Sequence, residues 1–162
     1  MTMQYDVKSF HASASGLAYN GRARLKGLVL SPSTSVTYNS LVTDTSGALS
    51  GTYDIPGSTT CTITIANHGL SNGDRIGVDF TSGTAVDDAY VVANVTTNTF
   101  TITTASLTTS GDVTIYPKIL TELDCSSGTS FYTLIPGEGI LALGGLFVLL
   151  PSTSVTMTIF YG

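Results

Sequence analysis

The fold is decided by residues 135–156, IPGEGILALGGLFVLLPSTSVT, which contain the longest apolar run of the chain, from Ile140 to Leu150. This run is too short to cross a membrane as a helix and contains two glycines, so it predicts a buried strand or a pair of strands. Its end matches an earlier stretch, GLVLSPSTSVT at residues 27–37, and the six residues PSTSVT are identical in both. The recurrence predicts two equivalent strand, turn, strand units that share one core, with chance recurrence in a Ser- and Thr-rich chain as the alternative.

Composition limits the classes of protein that this chain can belong to. Its 162 residues are enough for one ordinary domain or two small ones, and hydrophobic residues make up 42% against 10% charged, which excludes a disordered tail. So little charge on an apolar chain favours a surface that partners cover. The net charge of −5 argues against nucleic acid as a partner. Residues 1–20 lack the apolar centre of a signal peptide, so we expect neither secretion by the general pathway nor a membrane partner.

The spacing of apolar residues predicts an all-β protein. Helix signals are almost absent, while Thr, Ser, Val and Gly dominate, which favours an antiparallel β-sandwich of jelly-roll type. In the two outer parts of the chain we predict strands over residues 5–13, 22–30, 36–42, 52–55, 115–123, 131–135 and 153–161, with a turn over residues 13–21.

The middle of the chain has a different sequence pattern, because its apolar and polar residues alternate strictly and its turns are closely spaced. Predicted strands there cover residues 61–65, 76–80, 90–95, 99–104 and 113–116, and we expect 90–95 to pair with 99–104. The segment Pro56-Gly57-Ser58 predicts a boundary. We therefore predict a sandwich domain of residues 1–56 plus 117–162, with residues 57–116 inserted as a small β-module.

Three segments of the insert carry a resemblance, namely HGLSNGDRI (68–76), FTSGTA (80–85) and NTFTI (98–102). They resemble a small β-module common in bacteriophage tail and other virion proteins. That module is similar to the small β-barrel beside the catalytic cysteine domain of ubiquitin-activating enzymes. The resemblance implies a barrel-like structural insert. Ubiquitin chemistry is not implied, because the chain has no adenylation motif and no Gly-rich nucleotide loop.

The outer parts carry a second resemblance, in GLAY (16–19), GRARLKG (21–27), IPGEGI (135–140) and TIFYG (158–162). These segments resemble small virion-associated proteins of tailed phages that infect marine and cyanobacterial hosts. The resemblance implies a structural protein located in the virion after synthesis in the host cytoplasm. Many proteins of this kind are shorter, as though the module had been added to a β-sandwich.

Histidine and cysteine offer few candidates for chemistry. His11 falls on a predicted strand face and His68 in a predicted turn, where its ring can form a local hydrogen bond; neither has a second ligand at metal-binding spacing. We predict that Cys61 and Cys125 are free thiols, as in a reducing cytoplasm.

The carboxylates do not form a recognisable catalytic or metal-binding pattern either. Asp87 and Asp88 could begin a calcium loop with Asp74 and Asp79, but the Asp/Asn ladder and the closing Glu of an EF-hand are missing. No nucleophile elbow, phosphate loop or dinucleotide fingerprint occurs. We expect no enzymatic activity, no cofactor and no specific metal.

Arg22, Arg24 and Lys26 form the single basic cluster in the sequence. Their alternate spacing places all three on one face of a strand, with the small and apolar residues between them on the other face. Two interpretations remain open, a solvated strand face and an ionic contact with an acidic neighbouring subunit.

The two resemblances, together with the low charge and the empty search for catalytic patterns, imply a phage capsid decoration, or cement, protein. We expect a homo-oligomer, with a trimer as the first choice, that binds the major capsid protein or other virion proteins through Arg22, Arg24 and Lys26. One alternative is a tail, neck or fibre component. Another is a carbohydrate-binding receptor module, suggested by the all-β class and the eight tyrosines.

Overall fold

The computed structural model describes residues 7–126 and 128–162. These residues form strands, turns and bends without a helix, and so no helix within them could span a membrane. The strands are β1 (Lys8–Ala12), β2 (Gly16–Asn20), β3 (Ala23–Pro32), β4 (Asn39–Asp44), β5 (Leu49–Thr64), β6 (Arg75–Asp79), β7 (Asp88–Val91), β8 (Thr99–Tyr116), β9 (Lys118–Asp124), β10 (Phe131–Leu134), β11 (Ile140–Ala142), β12 (Gly145–Leu149) and β13 (Val155–Tyr161).

Two antiparallel sheets form a sandwich. Sheet A has the order β1-β13-β3-β10, and β11 also pairs with β3; sheet B has the order β2-β12-β4-β9. Their inner faces share one apolar core, because alternate residues of each strand point inward. This core includes Leu25, Leu28, Leu30, Met157 and Ile159 of sheet A, and Val42, Leu123, Leu146 and Val148 of sheet B. The predicted all-β class and antiparallel sandwich are confirmed.

The two PSTSVT segments are corners at which the chain passes between the sheets. The first corner leads from β3 in sheet A to β4 in sheet B, and the second leads from β12 in sheet B back to β13 in sheet A. β3 pairs with β13 and β4 pairs with β12, so each unit pairs with the other in both sheets. At the corners, the backbone N–H of Ser33 donates to the carbonyl of Ser154 at 2.7 Å. The prediction that both ends of the chain share one core is confirmed.

The long apolar run forms two strands, β11 and β12, which is the second of the two possibilities that the sequence left open. Asp44 is buried beside the turn between them and accepts hydrogen bonds from the backbone N–H of Leu143 and of Gly144, each at 2.9 Å. Burial alone would raise the pKa of Asp44, but these bonds and those from Ser46 hold it well below its ordinary value. Gly145 follows with a φ of 151°, where an added Cβ would lie 2.5 Å from the carbonyl oxygen of Tyr19. Only glycine fits there.

The middle of the chain forms a third sheet with the order β5-β8-β6-β7, which is open and not closed into a barrel. Its own core includes Ile55, Cys61, Ile63, Ile76, Val78, Phe100, Ile102 and Ile115. β5 and β8 pair along their lengths, from Leu49 opposite Ile115 to Thr64 opposite Thr99. The predicted domain boundary after Pro56 falls inside β5, where the register shifts at bulges. The division into two domains stays a prediction.

Several predicted strand limits were wrong for reasons of tertiary pairing. Residues 16–20, predicted as part of a turn, form β2, because they pair with β12 from the other end of the chain. The predicted pairing of 90–95 with 99–104 is reduced to a single bridge between Ala93 and Thr101, and β7 pairs with β6 instead. Residues 113–116 are the end of the long strand β8. Of the first predicted strand, residues 5 and 6 lie outside the described residues.

The third sheet packs against the outer face of sheet B. Leu41 and Leu149 of the sandwich form a buried cluster with Tyr116 of the third sheet, whose ring stacks on Phe147 with centroids 4.7 Å apart. At the centre of this contact, a Cβ added to Gly77 would lie 2.9 Å from Cδ1 of Leu149. Sheet B is therefore covered on both faces, while the outer face of sheet A has no such layer among the described residues.

Candidate functional site

The predicted basic cluster lies at one end of this uncovered outer face. Arg22 is exposed just before β3, and Arg24 and Lys26 are half-buried on β3, whereas the intervening Ala23 and Leu25 are buried in the sandwich core. The structure thus places Arg24 and Lys26 on the side of β3 that faces away from the core, as their alternate spacing predicted. Arg22 precedes the strand and lines a small cavity with Tyr19 and Tyr161.

A fourth basic residue joins this cluster. Lys8 of β1 lines a small cavity together with Arg22 and Tyr161, and its Nζ lies 5.6 Å from the centroid of the Tyr19 ring. We call Lys8, Arg22, Arg24 and Lys26 the basic row; it contains four of the six Lys and Arg residues of the chain. Lys8 pairs with the buried Tyr161, so it lies at the end of the sandwich and not on the outer face of sheet A. Sequence spacing could not reveal Lys8, because β1 reaches this position by pairing with β13 from the other end of the chain.

The contacts of the basic row with neighbouring acceptors are long. Nζ of Lys26 lies 4.0 Å from Oε2 of Glu138, whose side chain is 85% exposed. Nη1 of Arg24 donates to the carbonyl of Gly139 at 3.5 Å. Contacts of this length at the surface contribute little to stability. The Lys26 side chain is only 14% exposed, so the exposed Lys8 and Arg22 are the members of the row most accessible to a partner.

The other two basic residues are engaged elsewhere. Arg75 forms a bidentate ion pair with Glu122, in which its Nε donates to Oε2 at 2.9 Å. Nζ of Lys118 donates to Oγ of Ser46 at 2.8 Å. Glu122 thus neutralises Arg75, whereas the exposed Lys118 keeps its charge, and the other four basic residues lie at one end of the sandwich.

An apolar groove adjoins Lys26 on the outer face of sheet A. It has a volume of about 570 Å³, Lys26 lies at its rim, and its apolar lining consists of Val7, Tyr132, Leu134, Ile135, Pro136 and Phe160. We call it the sheet A groove. Tyr132 and Leu134 of β10 are 57% and 65% exposed. The sequence predicted a strand at this place, but not that its apolar side chains would face outward.

A second cluster that the sequence did not predict lies where the third sheet meets the sandwich. Asp87 accepts a hydrogen bond from Oγ of Ser15 at 2.7 Å and another from the backbone N–H of Phe80 at 2.8 Å. Burial, followed by the charge of Asp87 and a hydrogen bond to it, raises the pKa of the adjacent Asp79 to about 7. Burial also raises the pKa of Asp87. The two carboxyl groups therefore titrate as a coupled pair, and the pKa of each lies above its ordinary value.

The other two aspartates of the conceivable calcium loop lie apart from this pair. Asp88 accepts hydrogen bonds from the backbone N–H groups of Asn39 and Ala89, at 3.1 and 2.7 Å. Asp74 accepts one from the backbone of Ser71 at 2.8 Å. Among residues 7–126 and 128–162, no three His, Cys, Asp or Glu side chains are placed to hold a metal ion.

The histidines and cysteines lie as predicted. Nδ1 of His11 is 2.9 Å from Oγ1 of Thr158 on the outer face of sheet A. Nδ1 of His68 accepts a hydrogen bond from the backbone of Leu70 at 3.1 Å, the local turn contact that the sequence indicated. Cys61 and Cys125 are buried free thiols, and burial raises the pKa of Cys61 to about 12.

The tyrosines do not form a broad aromatic surface in the described part of the chain. Four of the described tyrosines are buried, namely Tyr53, Tyr90, Tyr116 and Tyr161. Tyr19 and Tyr38 are half-buried, and Tyr132 alone of the described tyrosines is exposed. Sugar sites commonly stack rings on exposed aromatic side chains. Among the described tyrosines, the ring of Tyr132 is therefore the one on which a sugar could stack if the protein bound carbohydrate.

Comparisons with known proteins identify no family. No protein-family model matches the sequence, and no curated protein matches it. A solved structure described as "Phage phi92 endosialidase" matches with 18% sequence identity and a TM-score of 0.32, over 84% of this chain and 22% of that chain. A TM-score of this size does not show a shared fold, so the similarity carries no argument about the role of this protein.

Proposed function

We propose that this chain is a structural protein of a tailed-phage virion, and that it decorates the assembled head by binding through the basic row. The resemblance of its outer parts to small virion-associated proteins supports the virion assignment. The observation that carries the attachment site is the gathering of four of the six basic residues at one end of the sandwich, on a chain of net charge −5.

The proposed mechanism is electrostatic attachment followed by burial of surface. An acidic patch on the shell would attract the basic row, raise the association rate and fix the orientation of the bound protein. Surface that spans neighbouring capsid subunits binds only the assembled shell, so it stabilises that state by mass action. We further propose that the bound form is a homo-oligomer, with a trimer as the first choice, and that the protein has no enzymatic role.

Attachment of variant proteins to heads that lack the protein tests this proposal. Replacing Arg22, Arg24 and Lys26 by Gln should lower co-sedimentation with the heads at least tenfold, while the melting temperature stays within a few degrees of the wild type. Raising the salt concentration should weaken wild-type attachment more than that of the variant. Unchanged attachment of the triple variant would exclude the basic row as the contact.

A matched pair of variants separates local from overall charge. The double variant Arg22→Gln/Arg24→Gln and the double variant Arg75→Gln/Lys118→Gln have the same net charge, but only the first changes the basic row. We expect a loss of attachment for the first alone. Equal losses would mean that attachment follows the net charge of the protein.

Electron microscopy of intact virions tests the location independently. A gold-labelled antibody against residues 57–116 should label the head. Label at the neck or tail would instead make the protein a connector, tail or fibre component, and receptor binding would become the next assay.

A further inference from the structure

Sheet A ends on one side in the strand β10, whose outer edge is not paired with any other described strand. β10 pairs with β3 along its inner edge only. Its side chains are largely apolar and face water, since Phe131, Tyr132 and Leu134 are 36%, 57% and 65% exposed. An exposed apolar edge strand is a place at which a strand from another chain can pair.

The sequence around β10 lacks the features that usually protect an edge strand. Charged side chains, prolines and bulges discourage an edge from pairing with other chains. Among the other edge strands, β1 contains Lys8, β5 contains Pro56, β9 contains Lys118, and β2 pairs with β12 through a register shift. By contrast, residues 125–137 contain no charged side chain, and Pro136 comes only after the strand has ended. The outer edge of β10 is therefore suited to pairing.

We infer that β10 pairs with β10 of a second copy of this chain, in antiparallel orientation about a two-fold axis at Thr133. The backbone fixes this register. The N–H of Ile135 donates to the carbonyl of Lys26 at 2.9 Å, so these two residues form a hydrogen-bonded pair that extends the ladder between β10 and β3. Such pairs alternate along an antiparallel ladder, and the N–H and C=O groups of Tyr132 and Leu134 therefore point to the free edge.

In this register the strand is complementary to itself. Tyr132 of one copy lies opposite Leu134 of the other, and the two-fold axis repeats the same pair with the copies exchanged. Each pair can exchange N–H···O bonds in both directions. Tyr132 and Leu134 both line the sheet A groove on the outer face, so an aromatic ring meets an aliphatic side chain across the two strands. A second copy supplies this match by symmetry, which favours it over an unrelated strand.

The pairing should be weak in the free protein. One pair of short strands buries less surface than a standard stable interface between proteins. We therefore expect monomers at low micromolar concentration and mainly dimers near about 1 mM. The inference does not rest on attachment to a phage head. A trimer on the head would need a different surface, so either proposal can fail without the other.

Sedimentation equilibrium of charge variants tests both the pairing and its register. The variant Tyr132→Lys/Leu134→Lys places like charges opposite each other and should weaken self-association by about tenfold or more. The variant Tyr132→Lys/Leu134→Glu places opposite charges there and should stay within about threefold of the wild type. The control Leu17→Lys/Val91→Lys adds the same charge at side chains that are 50% and 51% exposed on the edge strands β2 and β7, and should behave like the wild type. Equal self-association of the first two variants, or a wild type that stays monomeric near about 1 mM, would overturn the inference.

Cysteine trapping provides a second readout that also detects a weak pair. At the proposed axis, Thr133 lies opposite its own copy in a non-hydrogen-bonded pair, where Cβ atoms are about 4.5–5.5 Å apart. Under mild oxidation, Thr133→Cys should therefore form a disulfide between two chains about tenfold faster than Ser9→Cys, an exposed position on β1 at the opposite edge of sheet A. The buried Cys61 and Cys125 are present in both variants and do not distinguish them. Equal rates would show that two β10 strands do not meet at Thr133.

Discussion

The two faces of β6 differ in a way that explains how the molecule is assembled. One face carries Ile76 and Val78, which are buried in the core of the third sheet. The other face carries Arg75, Gly77 and Asp79, and each of these three lies at the junction with the sandwich. They contribute an ion pair, a close backbone contact and a buried carboxyl group beside Asp87, respectively. A uniform apolar face thus holds the third sheet together, while three different interactions hold it to the sandwich.

The largest effect on this junction is expected from filling the space above Gly77. In Gly77→Val the first added atom would lie 2.9 Å from Cδ1 of Leu149 and 3.1 Å from Cγ2 of Thr43. Overpacking of this kind should lower the free energy of unfolding by about 2–3 kcal/mol in urea denaturation. The variant Leu149→Ala makes room, so the double variant should lose less than the sum of the two single losses. Additive losses would mean that the two sheets are not in direct contact at Gly77.

The next effect is a pH dependence that belongs to Asp79. Its pKa is raised from 3.8 to about 7 in the folded protein, mainly by burial, so the folded state binds this proton more tightly than the unfolded state. The resulting stability is complete below about pH 4 and is lost as the pH rises to about 7. In Asp79→Asn the amide can donate to Asp87 at any pH, so this part of the pH dependence should disappear. At pH 8 the variant should be more stable by about 1–2 kcal/mol, a value reduced for partial exposure.

Denaturation curves at pH values from 4 to 8 provide the measurement for Asp79. The variant Asp112→Asn changes an exposed aspartate of β8 and should keep the wild-type slope. A wild-type slope in Asp79→Asn would show that another group carries the pH dependence.

The two faces of β6 also illustrate which parts of the fold could be predicted from the sequence. Alternation correctly predicted strands over residues 153–161 and 76–80, and the same alternation separates the buried residues of β13, from Val155 to Tyr161, and the inward face of β6. The repeated PSTSVT segments correctly predicted that the two ends of the chain share a core. These features are local, since they depend on which residues of one strand face the same way.

The parts of the fold that the sequence did not predict depend on which face of a strand is covered by another part of the chain. Alternation within one strand does not show this. The sequence GLAYN does not by itself indicate a strand, and it forms β2 because it pairs with β12. In the same way, the position of Lys8 near the other basic residues depends on the pairing of β1 with β13. The face of β6 that contains Arg75 and Asp79 has the composition of a solvated surface. Only the tertiary arrangement shows that Asp79 lies beside Asp87 and Ser15.

The smallest effect is expected from the ion pair at the edge of the junction. The side chains of Arg75 and Glu122 are 44% and 28% exposed, and Nδ2 of Asn39 also donates to Oε1 of Glu122 at 2.8 Å. A double-mutant cycle with Arg75→Gln and Glu122→Gln should give a coupling free energy of about 0.5 kcal/mol, because water screens exposed pairs. The coupling free energy should fall further in about 0.5 M NaCl, because salt at this concentration screens exposed ion pairs. A coupling free energy above about 2 kcal/mol that did not fall with salt would mean that water is excluded from the Arg75–Glu122 pair as it is from the contact at Gly77. The exposed edge and the buried centre of the junction would then not differ in the strength of their interactions.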